Sequence, residues 1–390
     1  MELPDYHGGS IVNLMRSIER ALDARPSDAA SAYPELSALP AAALSGARNI
    51  VLLVIDGLGY DYLTGAGAGG ALHRHLKARI SSVFPSTTAT AVSSFLTGVG
   101  PQQHALTGWH MWLRELGCLA ATLRFRPRHG GEPLSKSGIA PRSVFTAEPM
   151  FDRLAANSFV VSPANIIDSD YNVAHCGLAL RRPYKELPEL FSALAEIVRG
   201  GSERQFIHAY TYDFDETAHS FGSASPELQQ KFRQIDAAYA RFLDQIAGSD
   251  TLVLAVADHG FVDSPKSACI ELEDHPQLAQ TLVLPLCGER RVAYCYVQPG
   301  QEDAFEHYVQ TRLDLCADLY RSAELIAQGW FGLGAANPRL AERVGHYILV
   351  MKDNYTIKDW IPGEPRYLTV GVHGGVSAAE MYVPLVVAAA

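Results

Sequence analysis

Three apolar runs in this chain lead directly into residues that bind metals, and this pattern restricts the fold more than any other feature. AsnIleValLeuLeuValIle, residues 49–55, ends on Asp56. ThrLeuValLeuAlaValAla, 251–257, ends on the adjacent pair Asp258 and His259. GlnPheIleHisAlaTyrThr, 205–211, leads into Asp213 and Asp215. Unbroken apolar runs of this length suit strands covered on both faces. PheValValSer, 159–162, reads as a fourth strand, and helical patterns over 184–199 and 226–247 lie between them. Strands alternating with helices at this spacing predict an α/β fold whose mostly parallel central sheet carries helices on both faces.

The pattern changes in two places. Residues 99–150 are rich in Gly, Pro and Arg with few periodic runs, and read as an irregular excursion near the site. After Asp263, residues 280–298 hold two β-rich runs, 302–328 look helical, and 347–352 suit a strand. The expected division is a core of 1–263 with 346–390, and a smaller inserted α+β subdomain of 264–345. ValProLeuValVal, 383–387, suits a final core strand. The stretch 25–46 reads as a loose lead-in after a helix at 11–24.

Composition narrows the function classes. The formal net charge of -10 disfavours a nucleic-acid polymer, which basic surfaces bind. It permits a small phosphorylated substrate, since bound cations reverse the local charge. The six cysteines form no CxxC pair, so a cysteine zinc site is not expected. Neither a signal-peptide pattern nor an apolar run of the ~20 residues that span a bilayer is present. A cytoplasmic enzyme with free thiols and no membrane partner is the expectation.

The candidate chemistry lies in an ordered set of residues. Asp56 stands at the carboxyl end of a strand, where ligand sites of open α/β sheets lie; alone it reads equally well as a turn cap. ProSerThrThr, 85–88, leads small hydroxyl residues into a helical pattern, where unpaired N–H groups and the helix dipole favour an anion. Asp215 and His219 are four residues apart, hence on one face of a helix. Asp258 and His259 follow a buried strand, and His373 sits in ValHisGlyGly. Each is weak by itself. Together they supply three carboxylates, three imidazoles and a hydroxyl, about what two close metal ions require.

This ordered set resembles the alkaline phosphatase superfamily, most closely its type I phosphodiesterase/nucleotide pyrophosphatase branch, from about Asn49 to the C-terminus. The resemblance implies two divalent cations, zinc or manganese. One would be held by Asp215, His219 and His373, the other by Asp56, Asp258, His259 and Thr88. Thr88, rather than Thr87, aligns with the family's nucleophile, which forms a covalent phosphothreonine. Two departures stand out. Trp109 occupies the place of a phosphate-binding Asn, and Ala218 replaces a Gly before His219. Arg124, Arg126 or Arg128 are candidates for the missing phosphate contact, although a solvated basic loop reads at least as well. Trp109, Trp112 and Tyr212 are candidates to stack on a planar leaving group, against burial in a core.

The implied function is hydrolysis of small phosphodiesters or nucleotide pyrophosphates. A phosphomonoesterase or phosphonate hydrolase on the same two-metal site is the alternative. A phosphomutase fits less well, because such enzymes use Ser and need an acceptor site. A sulfatase motif is absent, and the complete ligand set argues against a non-catalytic binding protein.

Overall fold

The computed structural model describes residues 1–390. A seven-stranded sheet forms the centre, in the spatial order Leu76–Ser81, Tyr382–Ala389, Thr251–Val256, Asn49–Ile55, Gln205–Thr211, Asn157–Pro163 and Leu180–Tyr184. Asn49–Ile55 lies between Gln205–Thr211 and Thr251–Val256, parallel to both. All seven of its residues are buried, as its unbroken apolar sequence requires. Only the last strand, Tyr382–Ala389, runs antiparallel to its neighbours. The edge strand Leu180–Tyr184 is mostly exposed and carries Pro183, which an edge accommodates because no further strand needs its missing N–H.

Helices cover both faces, as the α/β pattern predicts. Helix Thr88–Thr97 packs with helix Ile11–Ala21 against one face. Phe206, His208 and Tyr210 point to that side, and Phe95 meets His208 with ring centroids 6.5 Å apart. Helices Leu187–Gly200 and Pro226–Gln245 pack on each other, joined by Phe191 and Phe242 at 5.6 Å. No helix is long and apolar enough to cross a membrane. All six cysteines are free.

A second seven-stranded sheet stands beside the first, in the order Ala317–Arg321, Tyr347–Met351, Val292–Cys295, Cys287–Gly288, His110–Leu113, Cys118–Ala121 and Arg126–Pro127. Every pairing in it is antiparallel. It draws strands from the expected excursion 99–150 and from the expected insert, joined by Gly288 opposite His110. Tyr347–Met351 also pairs here, although 346–390 was expected in the core. The expected helix over 302–328 is interrupted. Helix Glu302–Arg312 is followed by strand Ala317–Arg321 and helix Ser322–Ala327. AlaAspLeuTyrArg is drawn into a strand by the free edge of Tyr347–Met351, which pairs with all five of its residues.

The sheet is covered on both sides. Val292 and Tyr294 pack with Phe84, Trp330 and Phe331, whereas Ala293 and Cys295 pack with Phe305 and Val309 of the helix. Arg291 ties this sheet to the core. Its guanidinium donates from Nε to Glu380 Oε1 at 3.0 Å and from Nη2 to Oε2 at 2.9 Å. Both residues are almost wholly buried, at 1% and 0% exposure. Glu380 also accepts from the Gly375 N–H at 2.8 Å and the Ser377 hydroxyl at 2.7 Å, and its own carbonyl accepts from Gly260 N–H at 2.9 Å. One buried pair thus holds the loops that follow His259 and His373. Replacing Arg291 by Leu would strand a buried carboxylate and is expected to cost about 3–5 kcal/mol in urea unfolding; Arg291→Lys, which keeps charge but not the fork, should cost less.

Candidate active site

The carboxyl ends of three parallel strands bring the sequence candidates together. Asp56 follows Asn49–Ile55, and its N–H donates to the Thr211 carbonyl at 3.0 Å. Asp258 follows the neighbouring strand, and its Oδ1 accepts from the N–H groups of Gly57 and His259, both at 3.0 Å. Asp215 and His219 lie on helix Asp213–Phe221, which opens directly beyond Gln205–Thr211. The side-chain oxygen of Asp215 is 3.4 Å from His219 Nε2 and 3.7 Å from His373 Nε2. The two imidazoles face each other, Nε2 to Nε2, at 3.3 Å. His373 also stacks on His259 with ring centroids 3.7 Å apart.

His259 Nε2 is the hub of the group. It lies 3.3 Å from Asp56 Oδ1, 3.5 Å from Asp258 Oδ2 and 3.2 Å from Thr88 Oγ1. Thr88 is the first residue of helix Thr88–Thr97, so its hydroxyl also stands at the positive end of that helix. Thr87 points elsewhere, donating its hydroxyl to Glu289 Oε1 at 2.8 Å. The structure therefore separates the two adjacent threonines, and only Thr88 faces the cluster.

The donor set fits divalent cations. Asp56 Oδ1, Asp215 Oδ1 and Asp258 Oδ2 are buried with no hydrogen-bond partner, an arrangement costly for carboxylates unless a cation sits among them. Lysine and arginine supply none, since the three acids pair only with histidine. The ligand atoms of Asp56, Asp258 and His259 lie within 4.8 Å of one another, as do those of Asp215, His259 and His373. His219 Nδ1 is 2.8 Å from the Gly371 carbonyl and His259 Nδ1 is 3.1 Å from the Gly260 carbonyl. Donation from each Nδ1 leaves Nε2 as the lone pair facing the cluster, the tautomer a metal ligand needs.

Charges in the cluster respond to this crowding. Burial, then the charges of Asp258 and Asp215, hold the Asp56 carboxyl well above the ordinary range. Burial also raises Asp215, partly offset by His219 and His259. Burial, followed by the neighbouring His259 and His219, holds His373 well below the usual imidazole range, so its neutral form is available for coordination.

A cavity of about 1090 Å³ opens over the cluster between the two sheets. Arg124, Arg126, Trp109 and Tyr212 line it, and the Arg124 guanidinium sits 5.7 Å from the Trp109 ring centre. Arg128 is not available as a phosphate contact. Its Nη2 is held at 2.6 Å by Asp359 and 2.9 Å by Glu364, with the Leu286 carbonyl on Nη1. Trp112 packs against the second sheet's apolar cluster rather than in the cavity. Tyr212 accepts from Asn165 Nδ2 at 2.9 Å.

Two side chains in the site have no sequence signature. Tyr210, inside an apolar strand, donates its hydroxyl to Asp56 Oδ2. Glu289, in the turn CysGlyGluArgArg, accepts from both Thr87 Oγ1 and the Trp109 N–H, the latter at 2.7 Å. Strand periodicity marked the first only as core, and nothing local marked the second.

The model of the type I phosphodiesterase/nucleotide pyrophosphatase family matches residues 50–376. The chain belongs to that family. It is accordingly a member of a group of hydrolytic enzymes within the alkaline phosphatase superfamily. No curated protein matches the sequence significantly. The fold is similar to that of murine ectonucleotide pyrophosphatase/phosphodiesterase 5, solved as an inactive variant in complex with AMP. The two are 17% identical over 86% of this chain and 87% of that one, with a TM-score of 0.64. The human protein of the same name is 16% identical over 87% of each chain, with the same TM-score of 0.64. Phosphonoacetate hydrolase from Sinorhizobium meliloti 1021, in complex with phosphonoacetate, is 17% identical over 88% of this chain and 90% of that one, with a TM-score of 0.63.

Glu289 offers a pH test of the site. Burial of its carboxyl raises it to about 7 from an ordinary 4.5, although the Thr87 and Trp109 donors oppose the shift. A raised acid binds its proton more tightly in the folded state. Its stabilising contribution is complete below the ordinary value and lost as pH rises through about 7. Urea unfolding of Glu289→Gln should therefore show a flatter decline of stability with pH across that window than the parent protein. Equal slopes would contradict the assignment.

Proposed function

We propose that the protein is a metal-dependent hydrolase of small phosphodiesters or nucleotide pyrophosphates, with Thr88 as its nucleophile. The observation that carries this reading is the convergence of three unpartnered buried carboxylate oxygens and the histidine Nε2 atoms beside the Thr88 hydroxyl. Asp56, Asp258 and His259 with Thr88 would hold one divalent cation, zinc or manganese, and Asp215, His219 and His373 the other. Such cations, when bound, lower the pKa of a coordinated hydroxyl and offset charge on the phosphoryl and leaving oxygens.

The protein's own residues supply position and access. Thr88 Oγ1 attacks phosphorus in line with the leaving oxygen. The new Oγ1–P bond forms as the bond to the leaving group breaks, giving phosphothreonine and a free alcohol or nucleotide. Water then attacks the same phosphorus, the Oγ1–P bond breaks, and Thr88 regains its proton. The N–H groups at the start of helix Thr88–Thr97 favour the anionic phosphoryl group throughout. Asp56 is held by Tyr210 and Asp258 by Gly57 and His259, so neither carboxylate has to reorganise during the reaction. The cavity between the sheets leaves room for both substituents of a diester, and Trp109, Arg124 and Arg126 stand on its wall.

Turnover of bis-p-nitrophenyl phosphate, p-nitrophenyl phosphate and phosphonoacetate tests the reading directly. The diester should be preferred, and a chelator should abolish activity until Zn²⁺ or Mn²⁺ is restored. Thr88→Ala should lower kcat by on the order of 10³-fold or more, whereas Thr87→Val should leave much of it. Unchanged turnover in Thr88→Ala would refute the nucleophile, and preference for the monoester or the phosphonate would refute the substrate class.

A further inference from the structure

Glu289 is an acidic side chain that lines the cavity, belongs to neither donor group and is hydrogen-bonded to Thr87, the residue before Thr88. It comes from the second sheet, from the turn between Cys287–Gly288 and Val292–Cys295. Its stem is wedged beside the loop carrying His373. A Cβ placed on Gly374 would lie 3.0 Å from Glu289 Cβ and 3.1 Å from its Cγ, so this side chain packs closely against the bare backbone of position 374. Gly374 also has φ +110°, which disfavours any other residue there.

The hydrogen bonds at its carboxyl are one-sided. Thr87 Oγ1 and the Trp109 N–H both donate to Oε1. Oε2 receives no donor from the protein, and the residue lines the same cavity as Thr88, His219 and His373. One oxygen therefore fixes the residue preceding the nucleophile, and the other faces the space the phosphoryl group would enter. Trp109 stands where related enzymes are expected to place a phosphate-binding Asn, and its backbone N–H is turned to this carboxylate instead. An acceptor replaces a donor beside the phosphoryl position.

We propose that Glu289 determines specificity by charge: its carboxylate disfavours dianionic phosphoryl groups and so selects singly charged diesters over monoesters. A diester keeps one negative charge and directs a substituent at the position where a monoester carries a second anionic oxygen. Two like charges in a partly dehydrated cavity repel strongly, whereas the same carboxylate tolerates a neutral ester substituent. Lys358, the lysine that acts on this carboxyl, is itself engaged by Glu364 at 3.0 Å, and the effect adds to the attraction that the bound cations exert on mono- and diesters alike. Glu289 also orients Thr87 through Oε1, and that positioning role is separable from the charge.

This inference rests on the diesterase reading, and the experiment keeps the two apart. Glu289→Gln is isosteric and retains an oxygen to accept from Thr87 and Trp109, but removes the charge. In the metal-loaded enzyme at mildly alkaline pH, it should raise kcat/KM for p-nitrophenyl phosphate relative to bis-p-nitrophenyl phosphate by about tenfold. Inorganic phosphate, tested as a competitive inhibitor, should bind tighter by a similar factor. Glu289→Ala, which also releases Thr87 and Trp109, should lose kcat on both esters. An unchanged ester ratio together with unchanged phosphate inhibition in Glu289→Gln would overturn the proposal. Monoester preference in the parent enzyme would sink the diesterase reading, while the phosphate inhibition constants of parent and Gln variant would still decide the role of Glu289.

Discussion

The buried pair of Arg291 and Glu380 is the interaction on which the arrangement of this molecule depends. It joins the residue that opens strand Val292–Cys295 of the antiparallel sheet to the short helix Ala378–Met381, which leads into strand Tyr382–Ala389 of the central one. Glu380 accepts from Gly375, two residues beyond His373, and its carbonyl accepts from Gly260, one residue beyond His259. The loops that carry the two stacked imidazoles are thereby held from one residue, through its carboxylate and its backbone carbonyl. A buried ion pair is weak evidence for stability, since desolvation opposes the Coulomb gain. Its value here is registration: the forked geometry permits one relative placement of the two sheets, and the cavity between them follows from that placement.

The site above this clasp shows the opposite electrostatic character. Three carboxylates are gathered at the ends of buried strands without a single lysine or arginine partner. Hydrogen bonds fix the orientation of Asp56, through Tyr210, and of Asp258, through Gly57 and the His259 N–H, and one buried oxygen of each of the three carboxylates is unpartnered. Elsewhere the chain pairs its buried charges carefully, as in Arg128 with Asp359 and Glu364, or Arg153 with Glu19. The three carboxylates without such a partner stand among the residues suited to hold cations, which is how a site prepared for positive charge differs from a structural network.

Much of this was legible in the sequence because the relevant contacts are local. Asp56, Asp258 and His259 follow apolar runs whose burial is nearly complete, and Asp215 and His219 share one helical turn. The α/β alternation likewise follows from periodicity within each segment. Contacts between distant segments were not legible. His110–Leu113 pairs with strands almost two hundred residues later through Gly288, and no periodicity encodes that partner. The strand Ala317–Arg321 was hidden in a helical pattern because only the edge of Tyr347–Met351 makes it extended. Arg128 looked like its neighbours Arg124 and Arg126, yet two acids some 230 residues away engage its guanidinium.

The sequence by itself determined the class of fold, the family and the residues of a candidate metal cluster, because each is carried by short-range pattern: apolar runs, a four-residue helical spacing, a threonine at a helix start. Only the tertiary structure decided which threonine faces the cluster, which arginines remain free, and that a carboxylate from another sheet is bonded to Thr87, the residue before Thr88. Those outcomes depend on which side chain satisfies which buried donor or acceptor. That is a property of segments brought together from far apart in the chain, and single-residue spacing holds no record of it.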